Sequence, residues 1–212
     1  MKPHITINFA CSLDGKIALK GGKAYRFSNF EDLVRVHKLR DESDIILVGK
    51  NTINLDDPKL VVNEKYYKST RIPDVAILDS NLTVNGNARV FSYQRSVVIF
   101  CREGVAATDL GSNVTSRVLI RNSPDPILHT DFVVKELGKM GYRRVMIEGG
   151  KSVITSFVSQ GNWDEISIFY SPVIVGEEGI TMFGDLKEPL KFERAESSVL
   201  GDGFLIKIKK EF

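Results

Sequence analysis

Apolar residues along this chain gather in short Val- and Ile-rich runs, with a few helical stripes between them. Eight such runs recur: Ile5–Phe9, Ile45–Val48, Val75–Leu78, Val97–Phe100, Val118–Ile120, Val145–Ile147, Ile166–Tyr170 and Phe204–Ile208. Their shortness and β-branched content predict strands. Several are continuous rather than alternating, which predicts strands buried on both faces, as in a parallel sheet. Three segments carry the helical period instead. Ser28 followed by Glu31 reads as a capping box opening a helix to about Arg40, with Leu33, Val36 and Arg40 on one face. A second helix is expected over about Pro126–Lys139, with Val133, Val134, Leu137 and Met140 as its apolar stripe. A third opens at Gly150, carries Ile154, Phe157 and Val158 on one face, and stops at Gly161. The order is strand, helix, strand, a run of strands, strand–helix–strand and a strand-rich tail. That order implies an α/β fold with a largely parallel mixed sheet flanked by helices and an antiparallel C-terminal end.

Composition narrows the class. The 212 residues carry a net charge of +2, with 42% hydrophobic and 26% charged positions, which is ordinary for a folded domain and far from disorder. No repeat, linker or low-complexity tract divides the chain, so residues 1–212 are read as a single domain. The near-zero net charge argues against nucleic acid as a partner, and no apolar run is long enough to cross a bilayer. Cys11 and Cys101 are too far apart in sequence for a metal knuckle, and His4, His37 and His129 share no ligand spacing, so no metal is expected. A reducing, cytoplasmic setting follows from that cysteine usage.

Two of the runs lead directly into glycine-bearing turns, Val48–Gly49–Lys50–Asn51–Thr52 and Ile147–Glu148–Gly149–Gly150–Lys151. At the carboxyl ends of parallel strands, free helix N–H groups and absent side chains suit a phosphate. Neither turn matches a standard dinucleotide fingerprint or a P-loop, so each alone is also an ordinary strand-to-helix connection.

The combination of blocks is more specific. Ser12–Leu13–Asp14–Gly15–Lys16–Ile17–Ala18 follows the first strand, Arg35–Arg40 leads into the second, and Thr52–Ile53–Asn54–Leu55–Asp56–Asp57–Pro58–Lys59–Leu60 comes next. Leu78–Asp79–Ser80–Asn81–Leu82, Ala88–Arg89–Val90 and Ile147–Gly150 complete the order. Over about residues 4–176 this resembles the riboflavin-pathway reductases. The resemblance implies a dihydrofolate-reductase-like fold and a homodimer. It also implies a stand-alone form, since no zinc deaminase precedes the first strand. The implied reaction reduces the ribosyl group of 2,5-diamino-6-ribosylamino-4(3H)-pyrimidinone 5′-phosphate to ribityl with NADPH, NADH being left open. An alternative is the same reduction on the deaminated uracil analogue. From another class, the chain could be a nucleotide-sensing module that binds NADPH without turnover.

The resemblance also assigns residues. Thr52, Asp56, Asp79 and Ser80 fall on cofactor positions, with Gly49, Gly149, Gly150 and Lys151 in the phosphate-facing turns. Arg40, Leu60 and Glu148 fall on substrate positions, Arg26 is a further candidate, and Glu148 is the one catalytic candidate. Three departures stand out: Lys151 in place of a small residue, Asn63 in place of an arginine, and Glu177 interrupting a Gly-Gly. With Asn63 uncharged, Arg40 is the expected phosphate anchor, because its guanidinium can grip an anion bidentately from an inward helix face. Asp56 is read as an acceptor facing the cofactor, Asp57 as a turn-former before Pro58, and His37 as an ordinary helix-face residue. Lys207–Ile208–Lys209–Lys210 reads as an edge strand guarded by lysines. Phe169 and Phe183 are expected at a subunit interface.

Overall fold

The computed structural model describes residues 1–105 and 114–210. All the Val- and Ile-rich runs are strands of one sheet. These are β1 (His4–Ser12), β3 (Ile45–Gly49), β4 (Asp74–Leu78), β5 (Ser96–Arg102), β6 (Arg117–Ser123), β7 (Arg144–Ile147), β8 (Glu165–Ser171) and β11 (Gly203–Lys209). With β10 (Ala195–Leu200) they form nine strands in the order β10-β11-β8-β1-β7-β3-β4-β5-β6. From β8 to β6 every pairing is parallel, and β11 and β10 then add antiparallel at the β8 side. Two short strands, β2 (Lys16–Ala18) and β9 (Ile180–Thr181), pair separately beside the main sheet.

The period-2 geometry of the strands splits the core into two layers. From β3, Ile45 and Leu47 face one apolar cluster while Ile46 and Val48 face the other. The first cluster is covered by α3 (Thr130–Lys139) through Val133, Val134 and Leu137, and by α4 (Lys151–Ser159) through Ile154, Phe157 and Val158. The second is closed by Ile53 of α2 (Lys50–Asp56) together with Val90 and Phe91. The helix α1 (Phe30–Glu42) completes the set. As the sequence predicts, α4 ends in a Schellman turn at Gly161 (φ +70°): the Asn162 N–H reaches the Phe157 carbonyl and the Gly161 N–H the Val158 carbonyl.

Several expectations are corrected. The cap of α1 is Asn29, not Ser28, because the Asn29 side chain accepts the Asp32 N–H at 2.8 Å. The start of α3 shifts from Pro126 to Thr130, where Gln160 Oε1 takes the Thr130 N–H at 3.0 Å. This cap comes from another element and is invisible to local sequence reading. Lys50, Asn51 and Thr52, read as part of a glycine-bearing turn, instead open α2, which holds Asp56 at its last turn and leaves Asp57 in the left-handed region (φ 41°). The lysine-bearing β11 is not an edge: the polar segment Ala195–Leu200 pairs along its outer side. Phe169 is fully buried and so is not interface material, whereas Phe183 is half-buried and packs edge-to-face on Phe9. The exposed apolar pair at this end of the sheet is Val199 opposite Phe204.

Candidate active site

Because β1, β7, β3 and β4 are parallel, their carboxyl ends open on the same rim of the sheet. A cleft of about 910 Å³ lies there, within the size range of small-molecule and cofactor sites. Its walls come from β1, α1, the head of α2, the turn after β4 and the head of α4.

The two glycine turns meet inside it. β7 and β3 are sheet neighbours, so the helices that follow them start side by side. A Cβ built on Gly150 would lie 3.5 Å from Thr52 Oγ1, and one on Gly49 would lie 2.9 Å from Val153 Cγ2. Gly149 and Gly150 take φ values of +95° and +81°, which L side chains resist. No side chain caps α4, so the first N–H groups of this nine-residue helix are left facing the cleft through Lys151, Ser152 and Val153. This cradle fits a pyrophosphate.

At the α1 side, Arg40 and Glu148 form one unit. Arg40 Nε and Nη2 each donate to a Glu148 oxygen at 2.6 Å, and Nη1 donates to the Val61 carbonyl at 3.0 Å. Glu148 is itself fixed by its N–H to the Leu47 carbonyl, 3.0 Å away, which prolongs β7 along β3. Burial opposes charge on Arg40, but the Glu148 carboxylate more than offsets it and holds the guanidinium charged. Leu33, Val36 and Arg40 all line the cleft, as their shared helix face requires. The expected free anion grip is nevertheless corrected. The fork is closed on Glu148, and only two of five N–H donors remain for a ligand.

Among the remaining sequence candidates, Gly49, Thr52, Asp56, Ser80, Gly149, Gly150 and Lys151 also line the cleft. Asp79, Leu60 and Arg26 do not. Asp79 is fully buried and its carboxylate accepts the N–H groups of Asn81, Thr83 and Val84, so it shapes the turn after β4 rather than meeting a ligand. Leu60 is buried in the left-handed region (φ 49°), and its carbonyl is held by the buried guanidinium of Arg95 at 2.8 Å. Arg26 is exposed outside the cleft wall.

The sequence reading missed two groups. Asn8, in the middle of β1, lines the cleft at 4% exposure, and its Oδ1 is buried with no hydrogen-bond partner among the described residues. A polar residue inside an apolar strand is the signal that could have found it. His37, read as a plain helix-face residue, is buried, stacks on Tyr66 at 5.0 Å and accepts the Asn63 N–H on Nδ1 at 3.0 Å. Burial, with the nearby Arg40 charge, pushes its pKa down to about 4. The Asn63 backbone N–H thus ties its segment to α1. Among the described residues no cluster of His, Cys, Asp and Glu could hold a metal.

Comparison with known proteins gives a consistent picture. The model of the RibD C-terminal domain matches residues 3–206. The 2,5-diamino-6-ribosylamino-4(3H)-pyrimidinone 5′-phosphate reductase of Archaeoglobus fulgidus is 34% identical over 97% of both chains. A solved deaminase/5-amino-6-(5-phosphoribosylamino)uracil reductase from Thermotoga maritima superposes with a TM-score of 0.81 at 26% identity, covering 98% of this chain and 56% of that one. A dihydrofolate reductase from Enterococcus faecalis shares the fold, with a TM-score of 0.52 at 12% identity, covering 98% of this chain and 97% of that one.

Proposed function

Since this chain belongs to the RibD C-terminal domain family, we propose that it is a reductase of riboflavin biosynthesis. Its proposed substrate is 2,5-diamino-6-ribosylamino-4(3H)-pyrimidinone 5′-phosphate, whose ribosyl group it reduces to ribityl with NADPH. The observation that carries this reading is the meeting, in one cleft, of the Gly149–Gly150 cradle and the Arg40–Glu148 pair.

Gly149, Gly150 and the head of α4 would hold the cofactor pyrophosphate, with Thr52 and Asp56 beside it on the wall. When bound, a reduced nicotinamide supplies a hydride, and the protein's task is to position both partners. Glu148 is the carboxylate that faces the ribose end and exchanges a proton there, held in place by Arg40. Asn8 offers a buried amide to the pyrimidine. The chain is proposed to act in the cytoplasm as a homodimer, with the exposed Val199–Phe204 pair as apolar interface material.

The test is turnover with the 2,5-diamino substrate and its deaminated analogue side by side, following loss of reduced-nicotinamide absorbance. Oxidation of NADPH that depends on the diamino substrate is the expected result. Cofactor binding with no turnover of either pyrimidine would instead point to a sensing module.

A further inference from the structure

Arg95, which directly precedes β5, is a buried cation that does not line the cleft. Its Nη2 donates to the Lys59 and Val90 carbonyls at 2.7 and 2.8 Å, and its Nη1 to those of Leu60 and Pro73 at 2.8 and 3.2 Å. Nε adds a second bond to the Val90 carbonyl at 3.2 Å. None of these acceptors is a carboxylate. Burial pushes the Arg95 pKa down, and the Arg40 charge is near enough to push the same way, but only to about 10, so the group stays charged at neutral pH.

The segment held in this way is 57–61, which runs from the end of α2 to the carbonyl that meets Arg40. Two of its residues, Asp57 (φ 41°) and Leu60 (φ 49°), stand in the left-handed region, which residues with a Cβ resist. Such a conformation persists only where the surroundings impose it. Here two arginines do so. The Arg89 N–H donates to Asp57 Oδ1 at 2.7 Å, and Arg89 Nε to the Asp57 carbonyl and Oδ2 at 2.8 and 2.9 Å. Arg95 takes the Lys59 and Leu60 carbonyls on the far side of Pro58. The next carbonyl along, that of Val61, receives Arg40 Nη1. Arg40 is thus tethered from two directions, by Glu148 and by this clamped segment.

We propose that Arg95, with Arg89, is a positioning residue: it imposes the left-handed turns at Asp57 and Leu60, and so sets the Val61 carbonyl that aims the Arg40–Glu148 pair into the cleft. The inference rests on the reading of that pair as the substrate end of a reductase site. It also accounts for two sequence blocks at once, since Arg89 of Ala88–Arg89–Val90 is what holds Asp57 of Asp56–Asp57–Pro58. A lysine cannot stand in for Arg95, because a compact ammonium lacks the planar fork that reaches carbonyls from three separate segments.

Steady-state kinetics of the full chain test this with Arg95→Lys and Arg89→Gln, each made in wild type and in Arg40→Ala. Arg89 is exposed, so its variant keeps the test open if Arg95→Lys fails to fold. In wild type, Arg95→Lys should raise the pyrimidine KM about fivefold and lower kcat, with the NADPH KM held within about twofold, and Arg89→Gln should show the same split more weakly. In Arg40→Ala neither substitution should change the pyrimidine kinetics further, because the group they act through is gone. Losses of the same size in both backgrounds, equal rises in both KM values, or an unchanged pyrimidine KM would each overturn the proposal. The Arg40 Nε–H resonance of the ligand-free chain reports on the tether without turnover. It should be sharp and slow to exchange in wild type and broadened in both variants, and a signal unaltered in both would also overturn the proposal. Absence of turnover by wild type would overturn the reductase reading instead, leaving that resonance to decide whether the clamp sets Arg40.

Discussion

Arg40 and Glu148 share a partly buried ion pair, so removing one partner strands the other charge. Arg40→Ala should therefore lower stability by about 3 kcal/mol as well as impair substrate binding. Replacing both charges with apolar groups, Arg40→Met together with Glu148→Leu, should recover most of that stability and none of the turnover. Urea unfolding of the single and double variants checks this, and a fully stable Arg40→Ala would contradict it. His37 gives a pH signature. Its folded pKa of about 4 lies below the ordinary value of 6.5, so the unfolded chain binds a proton first as pH falls. Its contribution is complete above pH 6.5 and is lost as pH drops toward 4. His37→Gln, which keeps an acceptor for the Asn63 N–H, should flatten the stability slope across that window. Residue positions were legible where the pattern is local, as at Thr52 and Gly150 on the cleft wall. They were not where the partner is remote: Arg40 is read as a free anchor until Glu148, 108 residues away, is seen to close its fork.

The head of α4 depends on backbone shape. Gly150→Ala places an L side chain at φ +81°, with its Cβ in ordinary contact with Thr52. A loss of roughly 1–2 kcal/mol is expected from the conformation alone. Gly141→Ala is the control, since Gly141 (φ +92°) has nothing within 4 Å of its built Cβ. Both should melt earlier by similar amounts, but only Gly150→Ala should weaken NADP⁺ binding. Equal binding by the two variants would remove the cradle from the cofactor site. The strands were legible because runs such as Ile45–Val48 are buried on both faces and must be apolar throughout. β10 escaped notice for the opposite reason: Ala195–Val199 is exposed along its length, held by its ladder with β11, and has no apolar pattern to announce it.

The rim of the sheet opposite the cleft is sealed by carboxylates. Asp44 Oδ2 accepts the N–H groups of Arg143 and Arg144 at 2.8 and 3.0 Å, Asp164 accepts that of Ile5 at 2.7 Å, and Asp74 accepts that of Ser96 at 2.7 Å. Burial raises the Asp44 pKa, but these N–H groups and Arg71 outweigh it and leave the carboxyl below its usual range. Its contribution is therefore present above that range and is lost in acid. Asp44→Asn should cost about 1–3 kcal/mol by thermal melting while leaving KM for both ligands unchanged. A shifted KM would mean the two rims are coupled. If they are independent, the arrangement bears on descent: loop substitutions on the cleft rim that retune ligand choice leave the carboxylate seals of the far rim intact, so new specificities could accumulate one loop at a time while half of the sheet's end bonding stays untouched.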